Sequence, residues 1–128
     1  MFLPTDVPGQ PGKPVVENLT STTCDLKWTA PQDDGGSPII NYVIERKTPK
    51  DTKWTVVNVN VTVDRTEFNV TGLKPETEYI FRVSAVNKAG QGKPSEPSDL
   101  AKYGKSESMI LISIRGYFYF CVPTLLLD

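Results

Sequence analysis

From Tyr79 to Val86 the side chains alternate in direction: Tyr79, Phe81, Val83 and Ala85 fall on one side, Ile80, Arg82, Ser84 and Val86 on the other. A period of two is the mark of a pleated strand, and the first set suits a buried face. The period recurs at Cys24, Leu26 and Trp28 and at Ile40, Tyr42 and Ile44. No window carries an apolar repeat at the 3.6-residue spacing of a helix. Turn chemistry separates the alternating runs, as in "APQDDGGSP" (30–38) and "TPKDTK" (48–53). Strands are expected within 14–18, 23–29, 39–47, 54–61, 65–71, 79–86 and 93–103. Seven short strands and no helix predict an all-β fold, a seven-stranded antiparallel β-sandwich.

A chain of 128 residues has room for one such domain with short flanks. Its net charge of −1, with both signs scattered, gives no basic face for nucleic acid and no polybasic patch for an anionic membrane. It contains no histidine, the commonest general base and metal ligand. Its two cysteines, Cys24 and Cys121, make no disulfide framework. Cys24 shares its parity with Leu26 and Trp28, so it reads as a buried thiol acting as a small hydrophobe. No catalytic, cofactor or metal site is expected. "PTDVPGQPGKP" (4–14) cannot form a helix or a central strand, and residues 1–10 read as an extended N-terminal linker.

The stretch "LKPETEY" (73–79) supplies a tyrosine corner: Leu73 plugs the core, Pro75 stiffens the turn, and the Tyr79 hydroxyl bonds back to upstream backbone. An immunoglobulin domain would place a cysteine two residues after that tyrosine, where Phe81 stands, and a tryptophan on the third strand, whereas Trp28 lies on the second. With "FRVSAVNKAG" (81–90), these residues resemble a fibronectin type III domain over residues 11–104. "PQDDGGSPIINYVIERK" followed by "TKWTVV" is similar, more narrowly, to the fibronectin domains of sarcomeric giant proteins of the titin, twitchin and projectin type.

The resemblance implies a non-enzymatic bead of a tandem array, with a core including Trp28, Tyr42, Leu73, Tyr79 and Val83. It implies a sarcomeric location on the thick filament, with myosin or other thick-filament proteins and neighbouring immunoglobulin or fibronectin domains as partners. Some members carry a kinase domain elsewhere, but this sequence has no GxGxxG loop, HRD or DFG.

A candidate protein-binding face lies on the outward side of the third and sixth strands. There Glu45, Trp54 and Arg82 are expected to gather, with the Arg82 guanidinium stacked on the Trp54 ring. The alternative is that these residues simply cover the sheet. "DDGG" (33–36) reads as a turn capped by aspartates rather than a calcium site. Three glycan acceptor sequons, at Asn18, Asn60 and Asn69, support a rival reading: the ectodomain of a small membrane-anchored adhesion or receptor-like protein.

Residues 105–128 are read as an apolar tail outside the domain. "MILISIRGYFYFCVPTLLL" (109–127) would span about 28 Å as a helix, near a bilayer core, but Arg115, Gly116 and Pro123 interrupt it. It is read as an end not native to such a domain, a membrane anchor or a packed extension.

Overall fold

The computed structural model describes residues 5–102, 111–114 and 117–120. Seven strands build the domain: β1 Val15–Glu17, β2 Cys24–Lys27, β3 Asn41–Lys47, β4 Thr55–Val56, β5 Glu67–Val70, β6 Ile80–Asn87 and β7 Gly90–Gln91. They form two antiparallel sheets, ordered β1-β2-β5 and β4-β3-β6-β7. The described residues contain no helix. The centre of the larger sheet is the β3–β6 pair, in register from Asn41↔Val86 to Lys47↔Ile80. That register places Tyr42 and Ile44 beside Ala85 and Val83 on the inner face. Facing them are Cys24, Leu26 and Val70 of the smaller sheet, all fully buried.

The expected core residues Trp28, Tyr42, Leu73, Tyr79 and Val83 are all buried. Trp28 meets Tyr42 edge-on, with ring centroids 5.3 Å apart. This is the offset geometry that the ring quadrupoles favour. The tyrosine corner forms: the Lys74 N–H donates to the Tyr79 hydroxyl at 2.9 Å, and Leu73 N–H donates to the Thr22 carbonyl. Burial pushes the Cys24 thiol up to about 11, with the Asp25 carboxylate adding to it. A thiol so hard to ionise is a packing group.

Three expectations are corrected in detail. Ile40 does not share the buried face of Tyr42 and Ile44; it is 53% exposed, and Ile39 packs against the core instead. The regular strand begins only at Asn41, so alternation cannot be extended back through Pro38. The stretch 54–61 yields only the two residues of β4. Beyond it the chain leaves the β3 ladder, and the side chain of Asn58 closes the gap. Its Oδ1 accepts from Ile44 N–H at 2.9 Å, and its Nδ2 donates to the Tyr42 carbonyl at 2.8 Å.

The third correction concerns 93–103. The seventh strand is the short hairpin return at Gly90–Gln91, and residues 93–102 form no continuous strand after it. Pro94 and Pro97 have no N–H to give to a ladder. The chain still runs beside β6. Ser95 and Ser98 donate their N–H groups to the carbonyls of Val83 and Phe81, at 2.8 and 2.7 Å. Their hydroxyls accept the Val83 and Phe81 N–H groups, each at 3.0 Å. An isolated bridge, Tyr79↔Ala101, ends the run.

Of the stretch read as a linker, Asp6 to Gly9 is bonded across one end of the sandwich. Asp6 N–H donates to the Gly35 carbonyl and Gly9 N–H to the Asp33 carbonyl, each at 2.8 Å. Asn87, 2% exposed, fastens this strap by donating to the carbonyls of Asp6 and Asp34 at 2.7 Å. Gly35 is required here: its φ is +78°, and a Cβ would lie 2.1 Å from the Asp6 carbonyl oxygen. In the tail, β8 Leu111–Ile114 pairs antiparallel with β9 Tyr117–Phe120. These residues are therefore not part of a helix. Cys121 lies outside the described residues.

Candidate functional site

Register decides the outer face of the larger sheet. Glu45 of β3 stands directly opposite Arg82 of β6. The guanidinium forks onto the carboxylate, Nε to Oε1 at 3.0 Å and Nη2 to Oε2 at 3.4 Å. Side-chain exposures of 27% for Arg82 and 12% for Glu45 place the pair in partly excluded solvent. Such a bidentate, half-sheltered pair holds its geometry better than a surface ion pair does.

Trp54 precedes β4, whose Thr55 pairs with Arg46 of β3. The Arg82 guanidinium carbon lies 4.4 Å from the Trp54 ring centroid. The Lys47 ammonium lies 5.5 Å from the same centroid. The expected stacking of Arg82 on Trp54 is thus present, and Lys47, outward by parity, adds a contact with the same ring that the sequence reading did not give. Its outward parity and seven-residue distance from Trp54 across a turn were the available signal. The result is a row, Glu45–Arg82–Trp54–Lys47, with the tryptophan half-buried between fixed charges. The row presents an amphipathic ring beside two cations and a carboxylate already paired with Arg82.

The remaining outward residues, Val43, Ile80 and Val86, are half-buried. Ser84 is fully buried although its parity is outward, and its hydroxyl has no hydrogen-bond partner among the described residues. The aspartates of the 33–36 turn are held locally, Asp33 Oδ1 accepting from Gly35 N–H and Asp34 Oδ1 from Gly36 N–H. Among the described residues no group of three or more acidic, histidine or cysteine side chains is placed to hold a metal ion.

The sequons separate. Asn18 Nδ2 donates to Asp25 Oδ2 at 2.9 Å, and Asn69 Nδ2 donates to Asp25 Oδ1 at 2.8 Å. The two amides hold the Asp25 carboxyl below the usual carboxylate range, Asn18 contributing most. Asn60 sits apart, exposed in the turn that follows Asn58.

The sandwich, the tyrosine corner and the proline-broken edge define a fibronectin-like module, and comparison with known proteins fixes the family. Residues 9–100 match the Fibronectin type III domain. The chain belongs to that family, whose domain is a non-catalytic module. It is 45% identical over 96 residues, 75% of its length, to a titin homolog of Caenorhabditis elegans, and 39% identical over 113 residues, 85% of its length, to human contactin-6. A solved titin module from human cardiac muscle superimposes with a TM-score of 0.66 at 40% identity, covering 77% of this chain and 92% of that one. The chain spans a negligible share of the titin homolog's length and 11% of contactin-6's. It is therefore a structural and binding module related both to titin and to contactin and receptor-like proteins.

Proposed function

We propose that the chain, with residues 11–104 as its functional unit, is one bead of a tandem array in a sarcomeric protein of the titin and twitchin kind. In this reading it lies on the thick filament and contributes to myosin association and muscle organisation. The observation that carries it is the row Glu45–Arg82–Trp54–Lys47, a charged and aromatic strip on the larger sheet. Tryptophan and arginine are enriched among the residues that anchor protein interfaces, and here Arg82 is already held in place by Glu45. The likeness to titin modules gives the thick filament as the surface to test.

The test is sedimentation of the chain with reconstituted myosin filaments. Trp54→Ala with Arg82→Ala is expected to weaken binding by about tenfold to a hundredfold, the range of a lost anchor. Because Arg82 also pairs with Glu45, the variant's fold is checked by its unfolding midpoint. A folded double variant that binds like the parent would refute the role of this face.

A second reading, the ectodomain of a membrane-anchored adhesion or receptor-like protein, is favoured by the contactin likeness and by the three sequons. Immunostaining of native tissue separates the two, since one places the chain on the thick filament and the other at the cell surface. Among the described residues no helix is long and apolar enough to cross a membrane.

A further inference from the structure

The three sequons are equivalent in sequence, each Asn-Xaa-Thr, but they are not equivalent in the fold. Asn18 has a φ of +49°, and its amide is bound to Asp25. Its sequon threonine, Thr20, is also engaged. Its Oγ1 accepts from the N–H groups of Thr22 and Thr23 and lies 2.7 Å from the Thr23 hydroxyl. Asn69 lies inside β5, opposite Asp25, and its Nδ2 reaches both Asp25 Oδ1 and the Cys24 carbonyl. A sugar on either nitrogen would be brought against the Asp25 carboxylate and would disturb the bonds that link β2 to its two neighbours.

The asparagine and threonine of every sequon are exposed, so Asn60 differs not in exposure but in its bonding. It lies in a turn whose closing bond runs from Val61 N–H to the Asn58 carbonyl at 3.2 Å. Asn60 and Thr62 are both exposed, and neither side chain makes a hydrogen bond among the described residues. Two valines flank it in the open, Val59 at 73% and Val61 at 54% exposure. Adjacent exposed apolar groups at a turn tip gain from being covered, and the apolar face of a first sugar ring would cover them.

We propose that, where the chain passes through the secretory route, Asn60 is its site of N-linked glycosylation, and that Asn18 and Asn69 remain bare in the folded protein. As a statement about the native protein this rests on the ectodomain reading; as a statement about the three sites it rests on the geometry alone. The Asn60 Nδ2 forms a bond to the anomeric carbon of a lipid-linked oligosaccharide diphosphate. The bond from that carbon to the diphosphate oxygen breaks, the lipid diphosphate leaves with the electron pair, and the amide nitrogen gives up one proton to the transferase.

The test places the full chain behind a cleavable secretion leader in insect or mammalian cells. Secreted and cell-retained chains are both collected, and enzymatic deglycosylation in heavy-oxygen water marks each formerly modified asparagine for peptide mass spectrometry. Expected are a mark at Asn60, little or none at Asn18 and Asn69 in secreted chains, and loss of the whole glycan mass shift in Asn60→Gln. Asn60→Gln is expected to keep its unfolding midpoint, since the Asn60 side chain makes no hydrogen bond among the described residues. Asn60 unmarked in both pools would overturn the assignment. So would Asn18 or Asn69 marked as fully as Asn60 in secreted, folded chains. The leader supplies the compartment, so this result stands apart from where the native protein resides. Native protein found on thick filaments and free of glycan would overturn the ectodomain reading alone.

Discussion

Asn58→Ala tests whether one side chain substitutes for the missing length of β4. Asn58 is 6% exposed and makes three bonds: from Ile44 N–H at 2.9 Å, to the Tyr42 carbonyl at 2.8 Å and to the Val61 carbonyl at 3.1 Å. Alanine leaves the first two groups, both on the central strand β3, without partners. A buried polar group left unpaired costs about 1–3 kcal/mol. Two such groups set a range of about 2–6 kcal/mol, and water entering at the sheet edge brings the expectation to about 3 kcal/mol. That is a large share of the roughly 5–15 kcal/mol that holds a domain together.

Urea unfolding is the assay. With a slope of about 1–3 kcal/mol per molar, the midpoint should fall by about 1–3 M while the slope stays constant. Asn58→Asp sharpens the test. Its carboxylate keeps the acceptor for Ile44 N–H but opposes two carbonyl oxygens, so at neutral pH it should be at least as unstable as alanine. Protonation restores one donor, so its stability relative to alanine should improve as pH falls. Asn60→Ala, two residues away in the same turn, removes no bond and should change stability by no more than about 0.5 kcal/mol. If Asn58→Ala matched Asn60→Ala, the argument that a side chain seals this edge would fail.

Three further outcomes follow from the same geometry. Ser98→Ala removes the acceptor of the buried Phe81 N–H, so stability should drop by about 1–3 kcal/mol and the Phe81 amide should exchange faster; an unchanged Phe81 amide would count against the serine edge. Gly35→Ala and Gly72→Ala both force a left-handed φ, +78° and +72°, but only the first drives a Cβ against Asp6, so only the first should lose protection at the Asp6 and Gly9 amides. The folded pKa of Asp25 is depressed by Asn18 and Asn69, so its contribution is present above the unfolded value of about 3.9 and is lost as pH falls through the folded one. An acid titration of stability should therefore be shallower in Asp25→Asn than in the parent, and equal slopes would show that this carboxylate does not matter.

Much of the fold was legible because it depends on period and on turn residues. Alternation at Tyr79, Phe81, Val83 and Ala85 and at Tyr42 and Ile44 set the inner face of the larger sheet, and all six are buried. The corner at Leu73, Pro75 and Tyr79 was legible because its residues are local and its bond spans only five positions. The polar residues that finish the sheet edges were not. Asn58, Ser95 and Ser98 carry no periodic signal, since each is buried for the backbone groups it happens to reach, and Asn87 continues the inward parity of β6 without any sign of which carbonyls it meets. The proline-spaced serines of "KPSEPSDL" offered a hint of a broken strand, and Asn58 offered none. For the candidate face, parity put Glu45 and Arg82 on one side, and the turn put Trp54 near them. Their contact still required the register.

By itself the sequence determined the strand faces, the turns and the corner, because these follow from neighbours a few residues apart, where stereochemistry acts directly. Tertiary structure decided which groups meet across long separations. It set Glu45 opposite Arg82 and laid Asp6 against Gly35. It also gave Asp25 the amides of Asn18 and Asn69, while the Asn60 side chain meets no partner among the described residues. Identical triplets became unlike sites because a hydrogen bond depends on where the chain has brought its partner, and no local pattern of residues encodes that distance.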